Sequence, residues 1–339
     1  MDIAQLTTLR TGGPAREFVS VSAEDELVQA VRNADAAGKE VLLVAGGSNL
    51  VVSDSGFDGL VIHIDTKGIT TESDLCGGAF VTVAAGENFD DFVSHAVSNE
   101  WIGIEALSGI PGTVGATPIQ NVGAYGQEVA DTISSVRTWD RKTNSIKTFS
   151  NSECEFTYRN SFFKKQSNRF VILAVTFQFK IGSRGTPIAY EQLARQLGVA
   201  VGERVPMHEV RDEVLTLRRF KGMVLDENDH DTWSTGSFFT NPFITAELSE
   251  ELPEDAPRFI QEDGSVKTSA AWLIEHAGFT RGFGEGNATL SNKHTLAITN
   301  RGAATTAEIL HLARQVRDGV ETLFGIRLEN EPVLVGCSF

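Results

Sequence analysis

Two glycine-rich loops are the parts of this sequence best suited to holding a phosphate. The first, Gly46-Gly47-Ser48-Asn49, directly follows a short apolar run. Small residues there let successive backbone N–H groups point at one anion, such as the pyrophosphate of a dinucleotide. A plain glycine turn explains the same residues, because neither a G-x-G-x-x-G nor a Walker sequence accompanies them. The first loop alone leaves both interpretations open.

The second loop is longer and more distinctive. It reads Ser-Gly-Ile-Pro-Gly-Thr-Val-Gly over 108–115 and Pro-Ile-Gln-Asn-Val-Gly-Ala-Tyr-Gly over 118–126. Many glycines and two prolines in so short a stretch suit a backbone that packs closely around a ligand. This segment therefore predicts a binding site for a small molecule.

Three polar side chains outside the loops are candidates for a catalytic or ligand-binding role. Arg159 follows Tyr158, and a guanidinium that stays charged can hold a carboxylate with two hydrogen bonds. Ser237 precedes two phenylalanines, and Glu331 lies close to the C-terminus. Each has an ordinary explanation when taken alone: a surface ion pair, a helix cap or strand start, and a charged strand face, respectively.

The composition narrows the range of ligands. The chain has 339 residues, of which 41% are hydrophobic, so several domains with cores of their own are expected. The formal net charge is -16, which disfavours a broad basic surface for nucleic acid or anionic lipid. Phosphates must then be held locally, by backbone N–H groups and a few cations. The composition favours a small-molecule site.

The number and spacing of the cysteines and the N-terminal sequence indicate in which cellular compartment the protein is expected. Cys76, Cys154 and Cys337 are far apart and odd in number, so neither a disulfide framework nor a zinc site is expected. The first ten residues lack the apolar core of a signal peptide, and no window approaches the ~20 apolar residues of a membrane span. We expect a protein of the cytoplasm.

Apolar periodicity predicts alternating helices and strands, which is an α+β chain. A helix is expected with Ser22 as its N-cap and Gly38 at its end, and a second helix with Asn88 as its N-cap. The strands predicted in the first part of the chain are 41–44, 60–64, 81–85, 136–140 and 171–180.

The C-terminal part carries the clearest helix signal. Thr305 and Glu308 form a predicted capping box, an apolar stripe follows, and Gly325 ends the helix. The run 327–335 is predicted as a strand that is free to return to the first unit. The polar stretch 225–235 is predicted as a connector or loop.

Both loops and three later motifs together resemble one family. They look like the flavin site of the UDP-N-acetylenolpyruvoylglucosamine reductases, whose FAD-binding fold is shared with vanillyl-alcohol oxidase. Phe-Thr-Tyr-Arg-Asn-Ser (156–161), Gly-Ser-Phe-Phe-Thr-Asn-Pro (236–242) and Leu-Glu-Asn-Glu (328–331) resemble further family motifs in the same order. The resemblance spans most of the chain, from Thr8 to Gly336.

The resemblance implies a reaction in peptidoglycan precursor synthesis, and through it roles in cell shape and division. NADPH reduces non-covalently bound FAD and leaves, and UDP-N-acetylglucosamine enolpyruvate takes its place. Hydride passes from flavin N5 to the enolpyruvyl methylene, and Ser237 protonates the adjacent carbon. A serine is a weak acid, so it must protonate a strongly basic centre of this kind. Arg159 and Glu331 are the other catalytic residues implied.

The resemblance also implies binding residues. The expected FAD-binding residues are Gly46, Gly47, Ser48, Asn49, Ile110, Pro111, Gly112, Gly115, Ala116, Gln120, Asn121, Gly123, Ala124, Tyr125 and Gly126. The expected substrate-binding residues are Tyr158, Tyr190, Lys221 and Asn241. Tyr190 matches a loop tyrosine of one family subtype, in which the loop covers bound substrate. No metal is expected.

The chain departs from the family pattern in three places. A Lys-x-Pro pattern that is common after the position of Lys221 is replaced by 222–226 and a longer acidic stretch. Thr240 stands where lysine is common, and Pro332 where valine is usual. None of the three removes a proposed catalytic group, but the first leaves the geometry of a substrate-domain loop open.

The implied organisation has three parts. Residues 1–67, joined by a returning strand in 326–339, form the first FAD-binding subdomain; 68–214 form the second, and 215–325 form a substrate-binding domain. We expect a monomer that binds neither nucleic acid nor membrane. Two rivals remain: another FAD oxidoreductase of the same superfamily, which NADPH bleaching and recovery with the enolpyruvyl sugar would exclude, and a binding protein without turnover.

Overall fold

The computed structural model describes residues 1–74, 78–261 and 263–339, without the side chains of 73 and 74. Cys76 lies outside the described residues. Within them, Cys154 and Cys337 carry free thiols, and burial raises the pKa of Cys154 to about 12. No helix in this part of the chain is long and apolar enough to cross a membrane.

Helices and strands alternate along the described chain, as an α+β protein requires. The helices are α1 (Glu24–Ala36), α2 (Phe89–Ser98), α3 (Phe162–Lys165), α4 (Glu191–Leu197), α5 (Met207–Phe220), α6 (Ala246–Glu251), α7 (Ala270–His276) and α8 (Thr306–Phe324). The strands are β1 (Ala15–Val21), β2 (Val41–Val44), β3 (Leu50–Val52), β4 (Phe57–Ile64), β5 (Ile69–Asp74), β6 (Gly78–Ala84), β7 (Trp101–Ile102), β8 (Gly123–Ala124), β9 (Gln127–Glu128), β10 (Ile133–Asp140), β11 (Ser145–Ser150), β12 (Phe170–Ile181), β13 (Phe243–Ile244), β14 (Arg258–Ile260), β15 (Val266–Thr268), β16 (Ala288–Leu290), β17 (Ile298–Asn300) and β18 (Val333–Val335). The predicted fold class is confirmed.

The chain divides into two compact units. Unit 1 contains residues 1–15, 47–57 and 220–339, and unit 2 contains residues 16–46 and 58–219. Each unit has a hydrophobic core of its own. The division into three functional domains stays a prediction.

Unit 2 is built on a large antiparallel sheet with the order β11-β10-β12-β6-β5. Alternate residues of β12 point into the core, because side chains of a strand alternate between its two faces. Phe177 and Phe179 are buried there, and the ring of Phe92 from α2 packs 5.0 and 6.2 Å from theirs, measured between centroids. A smaller sheet has the order β1-β4-β2, in which β2 and β4 are parallel.

Unit 1 is held together by α8 and several small sheets. The buried stripe of α8 includes Ile309, Ala313, Val316 and Val320, which belong to the unit's core. Strand β18 pairs in parallel with β3, with Val333 opposite Leu50. The C-terminal segment therefore pairs with an early segment of the chain, and its place in a first FAD-binding subdomain stays a prediction.

Capping signals in the sequence located two helices correctly. The Asn88 side chain accepts a hydrogen bond from the N–H of Asp91 at the start of α2. Thr305 and Glu308 form the predicted capping box of α8. Gly325 follows α8 with φ 67°, a left-handed conformation that glycine adopts without strain.

Two details of the prediction were wrong. The N-cap of α1 is Ala23, where Glu26 Oε2 accepts from the N–H groups of Ser22 and Ala23 and so holds the chain just before the helix. In the run 327–335, only Val333–Val335 form a strand, since the residues before it make isolated contacts instead of a continuous ladder.

The stretch 225–235 is a loop, as predicted, but its centre is buried. Asp231 is 7% exposed and lies in a short 3-10 turn. Its Oδ1 accepts from Arg301 Nη1 at 2.7 Å and from the N–H of Asn292 at 2.8 Å. Burial alone raises the pKa of Asp231, but these hydrogen bonds and the arginine charge outweigh it and hold the pKa below its ordinary value.

Candidate functional site

Gly46, the first residue of the first glycine-rich loop, meets the second loop within unit 2. A Cβ at Gly46 would stand 2.6 Å from the Cα of Gly112, closer than a side chain tolerates. Gly112 has φ 114°, a conformation that L side chains rarely adopt. Its carbonyl accepts from the N–H of Phe89 at 3.1 Å, which places it at the start of α2. The loops are therefore in backbone contact, and glycine is required at both positions.

A half-buried ion pair holds the second loop in place. Asp90 Oδ1 accepts from the N–H of Gly109 at 2.6 Å, and both carboxylate oxygens accept from Arg211, at 2.6 and 3.1 Å. Burial tends to raise the pKa of Asp90, but these hydrogen bonds and the charges of Arg211 and Arg218 hold it below its ordinary value. The anionic carboxylate fixes where the loop begins.

Arg159 stands at the tip of a tight turn in unit 2. The N–H and C=O groups of Thr157 and Asn160 bond each other at 3.1 Å, which leaves Tyr158 and Arg159 between them. Arg159 has φ 52°, a strained value for a residue other than glycine. Its Nη2 donates to the Gly123 carbonyl at 2.9 Å, and its guanidinium carbon lies 5.5 Å from the centroid of the Tyr158 ring.

Buried polar contacts support this turn from both sides. Asn121, 1% exposed, donates from Nδ2 to Glu128 Oε2 at 2.7 Å and to the Thr157 carbonyl at 3.3 Å. Ser161 Oγ donates to the Ile119 carbonyl at 2.6 Å. The structure therefore shows the Asn121 side chain tying the second loop to the turn that carries Arg159.

Two predicted ligand-binding tyrosines are in contact in unit 2. The rings of Tyr125 and Tyr190 meet edge to face, with 5.5 Å between centroids. Burial raises the pKa of Tyr125, although the charge of Arg218 acts in the opposite direction. Burial and the neighbouring charge of Arg159 lower the pKa of Arg218, while Tyr125 and Asp90 raise it. The sequence analysis did not single out Arg218, because its closeness to Tyr125, Asp90 and Arg159 becomes visible only in the folded chain.

Ser237 and Glu331 come together in unit 1. The N–H of Glu331 donates to the Phe238 carbonyl at 2.8 Å, and the N–H of Thr240 donates to the Glu329 carbonyl at 3.1 Å. These bonds align the two segments as neighbouring antiparallel chains. Asn49 Nδ2 donates to the Glu331 carbonyl at 3.5 Å, so the first loop's asparagine joins them. Ser237 is half-buried.

Two cationic side chains lie near a half-buried histidine elsewhere in unit 1. Burial, together with the charges of Lys221 and Arg281, lowers the pKa of His294 to about 4. Lys221 was predicted to bind substrate, whereas Arg281 and His294 were missed because nothing near them in the sequence links them to Lys221. Asn241 Oδ1 accepts from the N–H of Ala270 at 3.0 Å and so contacts the start of α7.

The other predicted cofactor residues follow the same loops. In unit 1, a Cβ at Gly47 would stand 1.8 Å from the Leu6 carbonyl oxygen, and Ser48 comes next. In unit 2, the N–H of Gly115 donates to the Ala85 carbonyl at 2.9 Å. Also on the second loop of unit 2 are Ile110, Pro111, Ala116, Gln120, Gly123, Ala124 and Gly126.

Buried hydroxyls test whether these loops suit a nucleotide. Thr113, on the second loop, and Thr235, two residues before Ser237, are both 9% exposed. Neither hydroxyl has a hydrogen-bond partner among the described residues. Buried polar groups in native proteins are almost always bonded, so a ligand with polar atoms is a natural partner for the Thr113 hydroxyl on the second loop. The loops therefore fit a cofactor such as FAD, and both threonines were missed in the sequence.

Two family models match the chain. The C-terminal domain of UDP-N-acetylenolpyruvoylglucosamine reductase matches residues 227–335, and an FAD binding domain matches residues 15–149. Among solved structures, the UDP-N-acetylenolpyruvylglucosamine reductase from Thermus caldophilus superposes with a TM-score of 0.67 at 24% identity, covering 99% of this chain and 97% of its own. That similarity shows the fold.

Named relatives match over the whole length. A UDP-N-acetylenolpyruvoylglucosamine reductase from Cutibacterium acnes is 54% identical over 339 residues, covering 99% of this chain and 89% of the relative. A second, from Streptomyces avermitilis, is 50% identical and covers 98% and 93%, respectively. The chain therefore belongs to the family of UDP-N-acetylenolpyruvoylglucosamine reductases.

Proposed function

We propose that the chain uses NADPH and FAD to reduce UDP-N-acetylglucosamine enolpyruvate to UDP-N-acetylmuramate in peptidoglycan precursor synthesis. Reductase activity and FAD as cofactor follow from membership in the family. The observation that carries the assignment is the pairing of the Ser237 and Glu331 segments beside Asn49, in a chain with such close reductase relatives.

The two glycine loops are proposed to bind FAD. Gly46 and Gly112 keep side chains away from the point where the loops meet, and Thr113 offers a buried hydroxyl. Bound FAD supplies a hydride that originates from NADPH. Because the net charge is -16, phosphates depend on these local N–H groups and on nearby guanidinium groups.

Three side chains of this protein are proposed to bind the substrate carboxylate and to transfer protons during the reduction. Arg159 is proposed to hold the substrate carboxylate and to stabilise the negative charge that spreads into it as the enol ether gains a hydride. Ser237 is proposed to protonate the resulting carbanion from its Oγ. Glu331 is proposed to manage charge and protons around the same intermediate.

Four further residues are proposed to bind the substrate. They are Tyr158, Tyr190, Lys221 and Asn241. The cationic surroundings of Lys221, which also include Arg281, suit the diphosphate of a UDP-sugar. Cytoplasmic location, a monomeric state, non-covalent FAD and a Tyr190 loop of the substrate-covering type are further parts of the proposal.

An anaerobic absorbance experiment tests the function. The purified, flavin-loaded protein is titrated with NADPH and then with UDP-N-acetylglucosamine enolpyruvate. We expect bleaching of the flavin near its long-wavelength band, followed by recovery when the sugar is added. Bleaching without recovery would overturn the proposed substrate, and bleaching of the oxidised flavin by a simple alcohol or hydroxy acid in place of NADPH would favour another oxidoreductase.

A further inference from the structure

A buried carboxylate lies beneath the segment that leads to Tyr190. Glu105 is 1% exposed and lies in a short 3-10 turn of unit 2. Its Oε2 accepts from the N–H of Gly103 at 2.7 Å. Its Oε1 accepts from the N–H of Thr186 at 2.6 Å and from the Thr186 hydroxyl at 3.1 Å. One side chain therefore joins two segments that are about eighty residues apart in sequence.

Gln127 adds two hydrogen bonds to the network around Glu105. Its Oε1 accepts from the N–H of Ala106 at 2.7 Å, and its Nε2 donates to the Thr186 hydroxyl at 2.6 Å. That hydroxyl receives a hydrogen bond from Gln127 and gives its own proton to Glu105. The directions of all these bonds are consistent only if Glu105 acts purely as an acceptor, as a carboxylate does.

Gly185 shows how closely the segment fits over this carboxylate. A Cβ at Gly185 would stand 2.4 Å from Glu105 Oε1 and 3.0 Å from its carboxyl carbon. The N–H of Gly185 donates to the Val205 carbonyl at 2.9 Å. The backbone at this point is held from both sides, which fixes its distance from Glu105.

The same segment continues in an ordered way to Tyr190. The N–H of Ile188 donates to the Glu203 carbonyl at 2.8 Å, and the Ile188 carbonyl accepts from Gly202 at 2.8 Å. A Cβ at Gly126 would lie 2.9 Å from the Cβ of Ala189. Tyr190 then meets Tyr125 edge to face. Residues 185–189 therefore form a fixed base from which Tyr190 projects.

We propose that Glu105 is a positioning residue for substrate: it anchors residues 185–188 and thereby sets where Tyr190 stands. This inference rests on the proposed function, in which Tyr190 contacts the UDP-sugar. Glu105 acts through the backbone of Thr186 and does not itself touch substrate. Loss of its acceptor oxygen leaves buried N–H and O–H groups unpaired, which shifts the segment.

The variant Glu105→Gln tests the anchor with almost no change in shape. Whichever way the amide turns, its NH₂ group faces a donor, either Gly103 or Thr186. We expect KM for the enolpyruvyl sugar to rise about tenfold, with flavin reduction by NADPH changed less than about twofold. Glu153→Gln is the matched control, because Glu153 is an exposed carboxylate that accepts from the N–H of Ser150 at 2.9 Å.

Proteolysis gives a second measurement that does not depend on turnover. Trypsin cuts after Arg184 and Arg195, which flank the Tyr190 segment. We expect faster cleavage there in Glu105→Gln than in the control variant, and slower cleavage in the unmodified protein when UDP is added. Thr186→Val, which removes only the hydroxyl, should show both effects to a smaller degree and serves if Glu105→Gln fails to fold.

The outcomes separate the two proposals. Unchanged KM and unchanged cleavage in Glu105→Gln and Thr186→Val, in a protein that turns over normally, overturn the role of Glu105 alone. Unmodified protein that does not oxidise its reduced flavin with the enolpyruvyl sugar overturns the proposed function and the link to substrate with it. A raised KM with an unchanged reductive half-reaction supports the anchor.

Discussion

The two units hold their proposed catalytic residues in different ways. In unit 2, Arg159 has φ 52° at the tip of a two-residue turn, and its side chain bonds the Gly123 carbonyl. In unit 1, Ser237 and Glu331 lie on neighbouring segments joined by backbone hydrogen bonds. The first arrangement stores strain and depends on side chains, whereas the second depends on the backbone.

This difference predicts how each region responds to substitution. Replacing the side chain of Ser237 or Glu331 leaves the backbone bonds between their segments in place, so such changes should alter chemistry more than shape. Replacing Arg159 changes both the local strain and the charge. Loss of activity is thus expected without loss of stability at Ser237 and Glu331, whereas at Arg159 the effect on stability should depend on whether the replacement residue tolerates the left-handed backbone.

Arg159→Gly gives the largest expected separation. Loss of the guanidinium should lower kcat/KM for the enolpyruvyl sugar by about 10²–10³-fold, because a buried charge pair with the carboxylate is lost. The free energy of unfolding should change by less than about 1 kcal/mol, since glycine adopts the left-handed conformation without strain. Steady-state kinetics and urea unfolding measure the two effects.

Arg159→Lys is the matched control for that experiment. It keeps a positive charge and the strained backbone, but it cannot donate two parallel hydrogen bonds to a carboxylate. We expect it to be impaired in activity and no more stable than the glycine variant. A glycine variant less stable than the lysine variant by more than about 1 kcal/mol would contradict the idea of stored strain.

His294 gives the next largest effect, on the pH dependence of stability in unit 1. Its pKa is lowered to about 4 in the folded protein, from an ordinary value of 6.5. The folded state thus favours the neutral ring, whereas the unfolded state takes up a proton near pH 6.5. The free energy of unfolding is therefore unaffected by His294 above pH 6.5 and decreases as the pH falls from 6.5 toward 4. That loss amounts to about 2–3 kcal/mol at pH 4.5.

His294→Gln should remove this part of the acid sensitivity. Urea unfolding of both proteins at pH 7.5 and pH 4.5 measures it, and the comparison between proteins cancels the carboxylates they share. An identical fall in stability for the two proteins would show that His294 is not held in the neutral form.

The capping box of α8 gives the smallest effect. Thr305→Ala removes the hydroxyl that accepts from the N–H of Glu308 at 3.1 Å, and should lower the free energy of unfolding by about 1 kcal/mol. Thr322→Ala, near the other end of the same helix, removes an exposed bond to the Asp318 carbonyl and should cost less than about 0.5 kcal/mol. Thermal unfolding compares them, and equal effects would contradict the cap.

Local signals predicted much of the fold. The caps of α2 and α8, the alternation along β12 and the left-handed Gly325 depend on residues a few positions apart, so the sequence displays them directly. The N-cap of α1 was misplaced by one residue because the Glu26 carboxylate bonds the N–H of Ala23, a contact that needs no hydroxyl at the N-cap.

Long-range contacts in the candidate site escaped prediction. The bond from Arg159 to the Gly123 carbonyl, the bond from Asn121 to the Thr157 carbonyl and the neighbours of His294 arise only when distant segments meet. The resemblance to the family supplied the candidate residues, but not the contacts that hold them. Glu105 illustrates this, because its partner Thr186 is far away in sequence and neither residue carries a motif.

The separate half-reactions of Ser237→Ala test the central claim most directly. Stopped-flow spectroscopy would follow flavin reduction by NADPH and then flavin oxidation by the enolpyruvyl sugar, with Thr240→Ala as the control on the same backbone-bonded segment. We expect unchanged reduction and an oxidation step slowed about 10²–10⁴-fold in Ser237→Ala only. Equal loss of both half-reactions, or an oxidation rate like that of the control, would contradict the role of Ser237 as proton donor.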